Sequence, residues 1–175
     1  MKNLLFVMNP YAGTRRANRY LADILSLFNR ADYTVITHMT SGPGDATDAV
    51  SRLAPSVDLV VCCGGDGTFN ETVSGILNCG KDIPIGYIPA GSTNDFATSL
   101  RLPTDPLKAA QVILEGSPQH YDIGNFGNRI LGRYSYPDTR FSASEKNVKN
   151  GKKHLTFVIH FDNICKHSPQ GVRHN

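Results

Sequence analysis

No run of about 18 or more apolar residues occurs in this chain, so a membrane-spanning helix is not expected. The opening MKNLLFVMNP is too short, and broken too early by Asn9-Pro10, to act as a signal peptide; a cytoplasmic protein is the expectation. Cysteine is sparse: Cys62, Cys63, Cys79 and Cys165 show neither a paired framework nor metal-ligand spacing. Adjacent Cys62 and Cys63 on a strand would point to opposite faces, which suits core thiols. The six histidines likewise lack ligand spacing: His38 and His120 fall at strand edges, and His154, His160, His167 and His174 are scattered. GxxxxGK followed by Ser or Thr is absent, which excludes a P-loop, and no GxGxxG with a downstream acid marks a dinucleotide turn. No internal repeat or low-complexity segment appears up to about residue 128.

What is present is an ordinary globular composition, 40% hydrophobic and 19% charged, enough to build a core. The formal charge of +3 conceals two regimes. Residues 1 to 129 carry 10 Lys and Arg against 12 Asp and Glu, whereas residues 130 to 175 carry 8 against 3. The basic end reads as a solvated, partly disordered tail; nucleic-acid binding is not expected of it, and contact with anionic lipid is the alternative use.

Along the chain, LLFVMNP at 4–10 is a buried strand stopped by Asn-Pro. From Arg15 to Phe28, Ala17, Leu21, Ile24, Leu25 and Phe28 recur at helical spacing. YTVITHM at 33–39 reads as a strand, followed by a helix that turns Ala46, Ala49, Val50 and Leu53 inward. DLVVCCGG supplies the third strand, and TFNETVSGILN a helix with an inner stripe of Phe69, Val73, Ile76 and Leu77. PIGYIPAG is the fourth strand, TNDFATSLRL a short helix, DPLKAAQVILEG a helix opened by Pro and closed by Gly, and HYDIGNF a strand or hairpin arm. The alternation predicts an α/β fold with a doubly wound, mostly parallel sheet, and a ligand beyond the carboxyl ends of the strands. Residues 129–175 form a basic, aperiodic tail in which only LTFVIHF at 155–161 alternates, and an isolated strand there would bury little.

Three turns follow strands at that edge. Gly64, Gly65 and Gly67 let main-chain N–H groups approach a ligand at a helix N-terminus, and Thr68 adds a hydroxyl, a combination suited to phosphate. Asp66 would repel phosphate unless a divalent cation accompanies it or a hydroxyl proton is to be removed. Asn9, Gly13 and Thr14 occupy the turn after strand one, and Gly91, Ser92, Thr93, Asn94 and Asp95 the turn after strand four.

NPYAG at 9–13, GGDGTFNE at 64–71, PAGSTNDFA at 89–97 and DIGN at 122–125 together closely resemble the bacterial diacylglycerol kinase catalytic domain, a lipid kinase family related to NAD kinases, over residues 1–128. GGDGT alone is shared with NAD kinases and 6-phosphofructokinases, whereas STNDFA separates the lipid kinase branch. The resemblance implies that Gly64 to Thr68 hold ATP phosphates, that Asn9 and Asn94 shape the nucleotide site, and that Asp66, Asp95 and Asp122 form a magnesium and water network. It implies Glu71 pointing into the site from the first helical turn as a catalytic residue, Asp66 as a residue able to serve as base, and Arg15 as a phosphate contact. The structural alternatives are a helix-dipole role for Glu71, a helix cap made by Asn94-Asp95, and a solvated face for Arg15.

Full-length relatives resemble this chain only in their first part; they continue into a second, all-β domain that covers the cleft, helps bind the lipid and supplies a general base, and that domain is not recognisable after about Leu131. The expectation is therefore ATP and Mg2+ binding more firmly than turnover, with a lipid hydroxyl such as that of diacylglycerol as acceptor at the inner membrane face. An inactive ATP-binding fragment and an NAD kinase type of enzyme are the alternatives. A homodimer would be one way to cover an exposed sheet edge.

Overall fold

The computed structural model describes residues 1–126, 129–132 and 153–159. Among these residues seven strands form one sheet: β1 (Lys2–Met8), β2 (Tyr33–Met39), β3 (Leu59–Gly64), β4 (Ile85–Pro89), β5 (Ser117–Phe126), β6 (Arg129–Gly132) and β7 (Lys153–Ile159). Their spatial order is β2-β1-β3-β4-β7-β5-β6. The first four run parallel, β7 continues parallel to β4, and β5 and β6 are antiparallel additions. The sheet is thus doubly wound and mostly parallel, as the alternation of elements predicts.

Among the described residues six α-helices cover it: α1 (Arg16–Arg19), α2 (Leu21–Arg30), α3 (Asp45–Leu53), α4 (Asp66–Cys79), α5 (Asp95–Ser99) and α6 (Pro106–Glu115). Successive strand residues divide between two cores. Leu5, Val7, Val60, Cys62, Ile85 and Tyr87 meet α3, α4 and α5 on one face, while Leu4, Phe6, Val61, Cys63 and Ile88 meet α1, α2 and α6 on the other. The period of two explains how strands as apolar as LLFVM and LVVCC are buried on both sides. It also places Cys62 and Cys63 on opposite faces as expected, and burial pushes the Cys62 thiol up to about 12 and that of Cys63 higher still.

Two helix boundaries differ from the sequence pattern. The single helix expected from Arg15 to Phe28 is broken at Tyr20, where the Tyr20 N–H closes a tight turn onto the Ala17 carbonyl and Ile24 N–H restarts the ladder on Tyr20. The apolar spacing runs through the break, since Ala17, Ile24 and Phe28 are all buried, so periodicity could not reveal it. Helix α4 starts at Asp66, two residues before the expected Thr68, so Glu71 lies in its second turn.

The larger difference lies at β7. Far from isolated, it sits inside the sheet, pairing Phe157 with Ile85 on β4 and seven residues with β5. Leu155 and Phe157 enter the α4/α5 core and Val158 the opposite one, all nearly inaccessible. An alternating heptapeptide says nothing of its neighbours, and here the neighbours lie far back in sequence. The readings placed on residues 133–152 and 160–175 fall outside the described residues. At the other end of the sheet β2 is an edge strand whose Ile36 and Met39 are partly exposed.

Candidate functional site

Strand order reverses between β1 and β3, and there the connections diverge to opposite faces of the sheet, leaving a crevice at the carboxyl ends. A cleft of about 380 Å3 opens there, lined by the turns after β1, β2, β3 and β4. It falls within the usual range for small-molecule sites.

Glycine lets these turns touch. A Cβ on Gly91 would stand 2.6 Å from the Gly65 Cα, and one on Gly13, whose φ is +49°, would collide with the Ala90 carbonyl. The turns after β1, β3 and β4 therefore pack backbone to backbone, and the Ala90 N–H donates to the Gly64 carbonyl at 2.8 Å. Gly67 is different: nothing lies within 4 Å of its would-be Cβ, and it faces the cleft. No side chain caps α4, whose first-turn residues Gly67 and Thr68 line the cleft.

Side chains then fix the turns. Asn9 donates its backbone N–H to the Cys63 carbonyl at 3.0 Å and its amide to Thr68 Oγ1 at 3.3 Å. Because Thr68 Oγ1 accepts, its own proton remains available to a ligand. Asn94, left-handed at φ 52°, accepts the Gly91 N–H at 2.9 Å and donates to the Gly91 carbonyl at 2.8 Å. Its side chain thus closes its own loop and does not cap α5, contrary to the helix-cap alternative. The cap comes from Asp66, whose two carboxylate oxygens accept the N–H groups of Asp95 and Phe96 at 3.0 and 3.3 Å. Buried Tyr87 reaches across the same junction: its hydroxyl donates to the Gly64 carbonyl at 3.2 Å, with Asn94 Oδ1 at 3.4 Å, and burial raises its pKa strongly. Its ring lies tilted against Phe69 of α4, which stacks in turn on Phe96 of α5, with centroids 4.6 and 4.4 Å apart.

Glu71 lines the cleft from the second turn of α4, and its Oε1 accepts the Gly44 N–H at 2.9 Å. It complements the start of α3, not that of its own helix. Ser92, Thr93 and Asp95 are exposed on the turn after β4, and the Arg15 guanidinium lies over the Tyr11 ring, 5.3 Å from its centroid. Asp122 lies on β5 opposite His154, three residues before the Phe157 that pairs with Ile85. The register sets its backbone roughly 25 Å along the strand direction from the turn after β4, and its side chain falls outside the described ones. Among the described residues no three His, Cys, Asp or Glu side chains gather as a metal-binding set.

The sequence reading missed one wall of the cleft, Thr40 to Pro43 after β2. Asp45 secures it by accepting the Ser41 N–H and hydroxyl at 2.6 and 2.8 Å and by meeting His38 Nε2 at 3.0 Å; the Ser41 bonds hold its pKa below the usual carboxylate value. The available signal was position: TSGPGD follows a strand at the same carboxyl edge as the three turns that were read.

A doubly wound α/β protein with four strand-end turns around one cleft has the switch-point architecture, whose crevice lies at the carboxyl ends of the strands. The family described as "Diacylglycerol kinase catalytic domain" matches residues 3–126, and the chain belongs to that family. It is 40% identical over 136 residues to a diacylglycerol kinase of Bacillus subtilis (strain 168), covering 77% of this chain and 44% of the relative. It is 39% identical over 131 residues to that of Staphylococcus carnosus (strain TM300), covering 74% and 43%. A crystal structure of a diacylglycerol kinase from Bacillus anthracis str. Sterne superposes with a TM-score of 0.67 at 27% identity, over 74% of this chain and 45% of that one. The chain thus spans less than half the length of these relatives.

Proposed function

We propose that this chain forms the nucleotide-binding half of an ATP-dependent lipid kinase, in which the γ-phosphoryl group of ATP passes to a lipid hydroxyl with release of ADP and a proton. The observation that carries the reading is Gly67. A glycine costs up to about 1 kcal/mol relative to alanine in a helix interior and less in the first turn, where Gly67 lies, and no protein atom occupies the space its missing Cβ leaves. A phosphate lying against the first turn of α4 supplies the reason, with the N–H groups and the positive helix end as its partners.

On this reading the phosphates rest on the turn Gly64 to Thr68, with the Thr68 hydroxyl donating and Asn9 fixing its rotamer. Gly13 and Gly91 bring the neighbouring turns close enough to share the cleft, and the exposed Ser92 and Thr93 follow Gly91 on the same turn as further hydroxyls for the ligand. Asp66 and Asp95 are the carboxylates adjoining the turn. This donor set fits Mg2+, which keeps several waters and takes one or two carboxylates together with substrate phosphates. The ion, when bound, draws charge from the phosphates; Asp66 would hold it while orienting α5 through the Asp95 and Phe96 N–H groups. Glu71 holds the Thr40–Gly44 wall in place through Gly44 and faces the same ligand. The acceptor is a lipid hydroxyl, that of diacylglycerol or a related lipid, reached by peripheral contact with a membrane. Among the described residues no helix is long and apolar enough to cross one.

Isothermal calorimetry of the full chain with Mg-ATP tests the reading. Gly67→Ala should weaken binding at least about tenfold with an unchanged fold, since its methyl takes the space assigned to phosphate. Equal affinity in the two proteins would remove the phosphate from α4.

A further inference from the structure

We propose that Tyr11 is the platform on which the base of the bound nucleotide stacks, an aromatic subsite at the mouth of the cleft; the inference rests on the nucleotide reading above. Tyr11 is 68% exposed, the one aromatic among the large hydrophobic side chains that the described residues leave exposed, and it lines the same cleft as Gly67 and Thr68.

The loop that carries it is fixed. The Tyr11 N–H donates to Asn9 Oδ1 at 2.9 Å, the Ala12 N–H to the Asn9 carbonyl at 3.2 Å, and Asn18 Nδ2 to the Pro10 carbonyl at 3.0 Å. A ring held in water by such bonds loses hydrophobic free energy that a covering ligand would restore. The Arg15 guanidinium lies over the ring, 5.3 Å from the centroid, and Arg15 itself is held left-handed at φ 58°. One face of Tyr11 is thereby braced by a cation and the other left for a flat π-system. The cleft then has two chemically distinct ends. The start of α4 suits the charged end of a ligand and Tyr11 the aromatic end, which together describe a nucleotide lying from β3 toward the turn after β1.

The sequence contains no tryptophan, so Tyr11→Trp introduces a single fluorophore at the proposed contact. Titrating this full-length variant with Mg-ATP should quench its indole emission, and inorganic tripolyphosphate, which has no base, should not. In calorimetry Tyr11→Ala should lose about tenfold in ATP affinity, Tyr11→Phe should stay within about twofold of the parent, and tripolyphosphate affinity should be the same in all three. If Tyr11→Ala binds ATP as the parent does, the base lies elsewhere and the inference fails while the nucleotide reading stands. Equal losses of ATP and tripolyphosphate would make Tyr11 a prop for its loop, which also overturns the inference. Should the parent bind neither ligand, the nucleotide reading falls first.

Discussion

Asp66 is the residue on which two demands meet. Its carboxylate adjoins the glycine turn and also caps the start of α5 from 29 positions away. Removing it therefore does two things. Asp66→Ala should cost about 1 kcal/mol of stability, the value of a helix cap, in addition to any loss of ligand. Asp66→Asn retains an oxygen acceptor and should separate the two effects: urea denaturation is expected to show a smaller loss for Asn than for Ala, while calorimetry shows Mg-ATP binding weakened in both. Equal stabilities for parent and Asp66→Ala would exclude the cap. The sequence displayed Asp66 as chemistry because its neighbours are glycines. It gave no sign of the cap, because Asp95 and Phe96 are brought to it only by the packing of one turn on another.

Among the elements, β7 is the one whose importance local pattern hid. Phe157 is 1% accessible and lies within 6 Å, centroid to centroid, of both Phe69 and Phe96. Phe157→Ala should destabilise the protein by about 3–5 kcal/mol, the usual cost of emptying an aromatic site in a core, read as a fall in the urea midpoint. A change below about 1 kcal/mol would place the strand outside the cooperative core. The first four strands and their helices were legible because apolar runs end at Gly, Pro and Asn, and because each turn carries its own signature. The position of β7 was not, since a parallel partner for Ile85 can come from any later strand, and Phe157 lies in a short alternating run whose basic, polar flanks point to no partner. The break at Tyr20 was hidden for a related reason: apolar spacing records which side chains are buried, not whether the backbone ladder is continuous.

At the scale of the whole molecule, two fully buried thiols and a buried phenol make the native state sensitive to alkali. Burial raises the Cys62 pKa to about 12, above that of an exposed thiol, and raises those of Cys63 and Tyr87 as well. The native state therefore binds protons that the unfolded chain releases. Stability should be independent of the thiols below about pH 8.5 and should then fall as pH rises, by up to about 1.4 kcal/mol per pH unit for each, until the native Cys62 thiol itself titrates at about 12, with Cys63 titrating at still higher pH. Urea midpoints between pH 8 and 10.5 check this, and Cys63→Ala should flatten the slope. The same burial predicts that iodoacetamide at pH 8 leaves Cys62 and Cys63 unmodified in the native protein, as peptide mass mapping would show.

The place of β7 also has a consequence for birth on the ribosome. Strand β4 is complete at Pro89, but the strand that flanks it on its outer side begins only at Lys153, after 63 intervening residues. At about 5–20 residues per second, the nascent chain spends roughly 3 to 13 s with the backbone edge of β4 unpaired on that side. During that interval the half-built sheet offers a sticky template to any other emerging strand. Synthesis speed and chaperone supply, rather than the final free energy alone, should then govern how much of this protein reaches its folded form.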